Sequence, residues 1–155
     1  MKISIIIAVY KDYESLKVVL ESLYSQSYKE FEVIIAEDCE ENKMKELLGL
    51  WKEKIKIKHV FQEDKGFRKN KILNKAIKVS EGEYFIFLDG DCMVHSDFVL
   101  EYSKKVAENN LLVGRRVMLS KKLTESIKNN FYTPSLIQIL LSKSSYKEEG
   151  IKLFG

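Results

Sequence analysis

The chain is poor in the residues that stiffen or cross-link small proteins. Its two cysteines, Cys39 and Cys92, are too few for a disulfide framework or a zinc site of cysteine ligands alone, and two histidines add little to the zinc case. One proline and seven glycines exclude collagen-like and linker-like sequences. No apolar run nears the roughly 20 residues that a membrane-spanning helix needs. The longest, Ile3–Tyr10, is broken by Ser4 and lacks the basic leader and small-residue cleavage site of a secretory signal. Charge of one sign is also scarce. The 26 Lys and Arg against 23 Asp and Glu leave a net +3, without the basic stripe or tail expected of a nucleic-acid partner. Together these absences lead us to expect a cytoplasmic protein with reduced thiols, with peripheral contact at the inner membrane face as an open option.

What is present is one core's worth of apolar residues. At 155 residues, 45% apolar and 32% charged, the chain has the length and composition of an ordinary globular domain. Ile3 to Val9 is a short β-branched run, as in a strand buried on both faces. Asp12 is placed to cap a helix carrying Leu16, Val19, Leu20 and Leu23 at helical spacing. Phe31 to Ala36 reads as a second buried strand, followed by a helix over about 43–54. Ile55 to Val60 alternates with period two, which suits a strand exposed on one face. A helix over about 68–79 and a strand over 83–88 come next. The pattern then predicts a helix over about 96–108 capped by Ser96, a strand within 111–119, and a last helix with Thr133 as its cap and Pro134 in its first turn. Strands that alternate with helices imply an α/β fold, a mostly parallel sheet with helices on both faces. Ligands bind such sheets beyond the carboxyl ends of the strands.

The acidic residues fall at those ends. Asp38 follows the second strand, and Asp89 and Asp91 follow the fourth. In an extended segment Asp89 and Asp91 point to one side, with Gly90 between them allowing a turn or a close approach. Two carboxylates on one side repel unless a cation lies between them, and oxygen ligands of this kind suit Mg2+ or Mn2+. By itself Asp-Gly-Asp is equally an acidic turn.

Three further features accompany it. They are the opening strand with Ala8-Val9-Tyr10-Lys11-Asp12, the pair Glu37-Asp38, and Asp64-Lys65-Gly66-Phe67-Arg68 with Asn74 downstream. In this order and spacing the chain resembles the nucleotide-binding half of family 2 glycosyltransferases, over about residues 2–119. The resemblance implies a GT-A (Rossmann-like) fold and a hexosyltransferase-type enzyme. Such an enzyme binds a UDP-sugar with Mn2+ or Mg2+ and transfers the sugar, with inversion, to the hydroxyl of a glycan, a lipid-linked molecule or another acceptor. It also implies site residues. Ala8, Val9 and Tyr10, with Asp12 beyond them, would lie along the nucleoside, Tyr10 against the base. Asp38 or Glu37 would accept the uracil N–H; the family has Asp-Asp-Gly-Ser or similar where this chain has Glu37-Asp38-Cys39-Glu40, and Asp38 is the preferred reader. Arg68 would contact the nucleotide, with Gly66 at the turn before it. Lys65, Lys69 and Lys71 add positive charge near the expected diphosphate. Asp91 would bind the metal of the D-x-D motif, Asp89 would contact the ribose or sugar, or the metal through water, and Gly90 belongs to the same substrate-binding set. His95 is more simply a loop residue than a ligand, and Cys39 and Cys92 are small loop residues.

The tail fits this family less well. Residues 1–119 read as the nucleotide-sugar-binding core and 120–155 as a shortened C-terminal helical segment. No acceptor-side base is found there. Glu148 and Glu149 lie in too polar a stretch for that role, so the catalytic residue is unknown. Leu136, Ile137, Ile139, Leu140 and Leu141 are expected to cover a core edge, pair with a second copy or touch a membrane. The competing reading is a non-catalytic nucleotide-binding or scaffold remnant. A dinucleotide-binding domain is disfavoured because no G-x-G-x-x-G follows the first strand. A receiver domain lacks its acidic pair there, and a nucleotidyltransferase lacks its Gly-rich loop.

Overall fold

The run Ile3–Val9 becomes the centre of the sheet because it is apolar on both of its alternating faces. In the computed structural model, which describes residues 2–142, this strand, β1 (Ile3–Val9), is followed by α1 (Tyr13–Tyr24), β2 (Phe31–Glu37), α2 (Asn42–Gly49), β3 (Ile57–Phe61), α3 (Lys69–Val79), β4 (Tyr84–Asp89), α4 (Phe98–Lys105), α5 (Lys121–Asn130) and α6 (Leu136–Leu141). The four strands are all parallel, in the order β3-β2-β1-β4. Helices cover both faces, as alternating strands and helices predict.

Period two sorts the strand residues. Ile3, Ile5, Ile7 and Val9 face α1 and α2 in the main core, with Val33, Ile35 and Ile86 beside them and Trp51 closing its edge. Ile6, Ile34 and Ala36 face α3 through Ile72 and Ala76. Helix α1 is buried on two sides, because α5 packs on its outer face through Val18, Leu123 and Ile127. Ile139 joins that small cluster, while Ile137, Leu140 and Leu141 stand exposed. Among the described residues no helix is long and apolar enough to cross a membrane. Glu148 and Glu149 lie outside the described residues.

The amino ends of the strands are tied by a charged network. Glu32, fully buried, accepts from the Ser4 hydroxyl at 2.7 Å and the Glu81 backbone N–H at 2.6 Å, with the Lys58 ammonium at 3.1 Å. Burial pushes this carboxyl up, but those three partners together hold it below the usual carboxylate range. Glu81, gripped by Lys2, Lys58 and Lys56, is lowered too. Gly82 lies so close to β1 that a Cβ there would meet Ser4 Oγ at 2.5 Å and Ser4 N at 2.6 Å.

Several boundaries differ from those the sequence predicts. Helix α4 starts at Phe98 with Asp97 as its N-cap, one residue later than expected. The Ser96 carbonyl accepts the Ser27 N–H at 2.8 Å, and the Asp97 carboxylate takes the Ser27 hydroxyl at 2.6 Å, which ties this junction to the loop after α1. The last helix is capped by Ser135, not Thr133. Ser135 and Gln138 form a reciprocal capping box that puts Pro134 before the cap. No strand forms within 111–119. Leu111 and Val113 are 88% and 82% exposed, and Met118 makes an isolated β-bridge, so the apolar run is not buried in the sheet as a strand would be. Helix α2 stops at Gly49, and 50–54 continue as turns. Helix α5, which the sequence pattern did not predict, is held by the Ser120 cap and its contact with α1.

Two outcomes follow from the amino-end network. Replacing Gly82 with Ala should destabilise the fold by about 1–3 kcal/mol, read as a lowered denaturant midpoint, since backbone rather than a flexible tip blocks the new methyl. For Glu32 the folded pKa is depressed. Its contribution is present above the unfolded carboxylate value and is lost as pH falls through the folded one. Stability measured by urea titration should therefore drop below about pH 4.5, and Glu32→Gln should flatten that acid limb.

Candidate functional site

The sheet register builds a cleft at the carboxyl ends of three strands. Ala8 of β1 lies directly between Ala36 of β2 and Asp89 of β4. All three share the α3 face with Ile6 and Ile34 by period two. One step earlier along β1 and β2, isoleucines fill this layer; at Ala8 and Ala36 only methyl groups do. The missing volume is open, and a cleft of about 480 Å³ lies over it. Its floor is Ala8, Ala36 and Ile72, and its walls come from the β1–α1, β2–α2, β3–α3 and β4–α4 connections.

Of the residues the sequence singles out, Ala8, Val9, Tyr10, Asp12, Asp38, Gly66, Asp89, Gly90 and Asp91 line this cleft. Glu37 and Arg68 do not. Glu37 is one step out of phase with Ala36, so its side chain enters the opposite face. There it is fully buried, 2.8 Å from His59 Nε2 and accepting from Cys39 Sγ at 3.3 Å. Burial and this carboxylate push the Cys39 thiol up to about 11. Arg68 turns its guanidinium towards the Glu63 carbonyl, away from the cleft.

Asp38 is only 5% exposed and holds the far wall in place. One carboxylate oxygen accepts from Gln62 Nε2, and the other accepts the Arg68 backbone N–H at 2.8 Å, at the start of α3. Facing it, Asp64 ties the loop before α3 to the loop after β1. It receives the Tyr10 hydroxyl at 3.2 Å, the Lys11 ammonium at 2.8 Å and the Gly66 N–H. Lys11 holds the Asp64 carboxyl below its usual range. Lys11 itself adopts φ +55°, a left-handed conformation that costs roughly 1–2 kcal/mol for a non-glycine residue and lets the chain turn sharply from β1 into α1. Asp12 then caps α1 through the Ser15 N–H at 3.1 Å. Gly66 at φ +79° needs no side chain. Tyr10 and Phe67 stand at the mouth, 55% and 90% exposed.

The acidic pair sits on the other wall. Donor atoms of Asp89, Asp91 and Cys92 all lie within 4.8 Å of one another. A Cβ at Gly90 would press on Val9 Cγ2 at 3.0 Å and the Ala8 carbonyl at 3.1 Å, so a glycine lets this turn pack against β1. The repulsion between the two carboxylates is already relieved on one side. The Lys69 ammonium is bonded to one oxygen of Asp89, and the Arg116 guanidinium lies 3.9 Å from the other. Two carboxylates and an open side suit Mg2+ or Mn2+, which bind through one or two protein carboxylates plus phosphate oxygens and water. The Cys92 thiol is a poor ligand for such hard ions. Burial, then Asp91, raises its pKa.

His95 lies outside the cleft. Its ring accepts the Asp97 N–H at 3.2 Å, and its carbonyl accepts from Gln26 at 2.7 Å and from the Phe98 N–H at 3.1 Å. Ala36, Phe67, Ile72 and Arg116 line the cleft without having been singled out, and Lys69 was noted only as one lysine among several. Strand parity could have found Ala36, two before Asp38. Nothing local marks Arg116, which reaches Asp89 from an irregular segment.

The sequence model of Glycosyl transferase family 2 matches residues 4–154. An uncharacterized glycosyltransferase of Rickettsia felis is 28% identical over 145 residues, 88% of this chain and 24% of that protein. A poly(ribitol-phosphate) beta-glucosyltransferase of Bacillus spizizenii is 30% identical over 112 residues, 70% of this chain and 18% of that protein. The chain thus spans about a quarter or less of the length of these relatives. Among solved structures, Staphylococcus aureus TarS 1–349 in complex with UDP-GlcNAc superposes with a TM-score of 0.59 at 27% identity, over 67% of this chain and 30% of that one.

Asp38 supplies a test of the cleft wall. An Asn there presents one donor and one acceptor to two N–H donors, so one buried donor loses its partner. Asp38→Asn should cost about 1–3 kcal/mol, and hydrogen exchange should show lost protection at the Arg68 amide while the β1 amides stay protected.

Proposed function

This chain belongs to glycosyl transferase family 2, and from that membership we propose that it is the donor-binding part of an enzyme that transfers a hexose from a UDP-sugar, with inversion, to an acceptor hydroxyl. The observation that carries this reading is the convergence of Asp38, the Ala8–Ala36 floor and the Asp89–Asp91 pair on one cleft of about 480 Å³. On this reading residues 1–119 are the donor-binding core and 120–155 a shortened helical segment.

Each wall has a task. A flat base fits over the methyl floor, where larger side chains would exclude it. Asp38, an acceptor fixed by Gln62 and the Arg68 N–H, has lone pairs left for an imide N–H such as that of uracil. Tyr10 can cover the base from the mouth, once its hydroxyl leaves Asp64. The relative that superposes here was solved with UDP-GlcNAc, which supports a uridine donor. Asp89 and Asp91 lie where the diphosphate and the first sugar would sit, with Asp91 as the principal ligand of a divalent cation, Mn2+ or Mg2+. A cation held there neutralises charge on the departing diphosphate. Lys69 and Arg116 add positive charge to the same region, which favours charge separation as the glycosidic bond breaks.

One observation favours a second reading, a nucleotide-binding module that does not catalyse transfer. Among the described residues lining the cleft, the acidic ones are Asp12, Asp38, Asp89 and Asp91. The first two are engaged in a helix cap and a loop clamp, and the last two form the cation pair, so none is left as a base for an acceptor. Hydrolysis or transfer from a UDP-sugar that disappears in Asp91→Ala would decide for the enzyme.

In a thermal melt, millimolar UDP with Mn2+ should raise the Tm of the wild-type chain. By linkage, ligand at 100 times its Kd adds about 2.7 kcal/mol. Asp91→Ala should lose the Mn2+-dependent part of the shift and keep the part due to UDP alone. A well-folded wild type whose Tm does not move contradicts the donor-site reading.

A further inference from the structure

Asp89 and Asp91 differ in one respect that the acidic motif does not reveal. Asp89 is already neutralised by the protein. The Lys69 ammonium is bonded to one of its oxygens, and Arg116 stands 3.9 Å from the other. Asp91 is exposed and has no basic partner among the described residues. The two carboxylates therefore meet an incoming divalent cation on unequal terms. At Asp91 it meets a carboxylate that accepts a long, weak S–H bond from Cys92 at 3.5 Å, whereas at Asp89 it must compete with an ammonium.

Lys69 is placed to give way. It is the first residue of α3, and the backbone just before it is pinned by the Arg68 N–H bond to Asp38. Its side chain is 37% exposed and that of Asp89 is 44% exposed, so the ammonium can swing on its four-carbon stem without disturbing the helix. An ammonium leaving a carboxylate needs another anion nearby. Asp91 is one, within 4.8 Å of Asp89 but exposed, and a diphosphate bound in the cleft that Lys69 lines would be a second with more charge.

We propose that Lys69 is an internal counter-ion of Asp89 that the diphosphate draws away, so that Asp89 becomes available to the cation only when nucleotide is present. Nucleotide and cation then bind cooperatively, and by linkage each tightens the other by the same factor. This rests on the donor-site reading above and adds to it a specific reason why the cation alone should bind poorly. Lys69 acts here as a positioning residue, exchanging one anionic partner for another.

The test is calorimetric titration of Mn2+ alone, of UDP alone and of UDP at saturating Mn2+, on wild type and on Lys69→Gln, with the Tm of both confirming the fold. The variant should bind Mn2+ alone roughly two- to five-fold more tightly, the range set by the worth of an exposed ion pair. It should bind UDP at saturating Mn2+ at least about ten-fold more weakly, because a charged hydrogen bond to phosphate is lost. The opposite signs are the signature, since a purely structural role would weaken both. Lys69→Arg should restore the wild-type pattern. Unchanged or weaker binding of Mn2+ alone by folded Lys69→Gln overturns the proposal, as does failure of both proteins to bind Mn2+ alone. Failure of wild type to bind UDP would instead defeat the donor-site reading, with the Mn2+-alone titration still deciding the competition at Asp89.

Discussion

Ala8 sits between Ala36 and Asp89 in one parallel register, and the cleft follows from that alignment. Parallel pairing brings the carboxyl ends of β1, β2 and β4 to one side, and period two assigns each residue near those ends to one face or the other. Ile6 and Ile34 fill the α3 layer over Ile72 and Ala76. The two alanines that follow leave it empty next to Asp38 and the Asp89–Asp91 turn. A slip of one residue between β1 and β2 would put bulky side chains over the floor and send Asp38 to the other face.

The two ends of the sheet treat charge differently. At the amino end, Glu32 and Glu81 are paired with Ser4, a backbone N–H and three lysines. Such a network fixes strand ends and leaves no charge free. At the carboxyl end the neutralisation is partial. Asp38 accepts one hydrogen bond on each oxygen, Asp89 is balanced by the part-exposed Lys69 and Arg116, and Asp91 is left without a basic partner among the described residues. A site that must accept an anion and a cation together needs charges it can rearrange. The ions that belong to the fold and those available to a ligand are separated by the length of the strands.

The loops at the cleft have their geometry from side-chain to backbone bonds more than from packing. Asp38 sets the start of α3, Asp64 joins the loops after β1 and β3, and Asp12 starts α1. Asp12, Asp38 and Asp64 thus do local structural work in or beside the cleft, and Asp38 combines it with its proposed contact to the base. An acidic count alone therefore overstates the chemistry available. It also explains why an acceptor-side base is not found among the described residues lining the cleft.

The sequence alone determined the four strands, the first four helices and the parallel α/β arrangement, because β-branched runs and helical spacing are local properties that burial then enforces. It also placed the cleft-lining acids at strand ends, and parity would have separated Asp38 from Glu37, since Asp38 shares the phase of Ala36. The tertiary structure decided what depends on partners far along the chain. The cap of α4 fell at Asp97 rather than Ser96, both of them tied to Ser27, residues 111–119 added no strand to the sheet, and Arg68 gave its backbone rather than its guanidinium to the site. Lys69 and Arg116 became the cations of the cleft. In a chain with 26 basic residues nothing local distinguishes these two, and only folding brings them to Asp89.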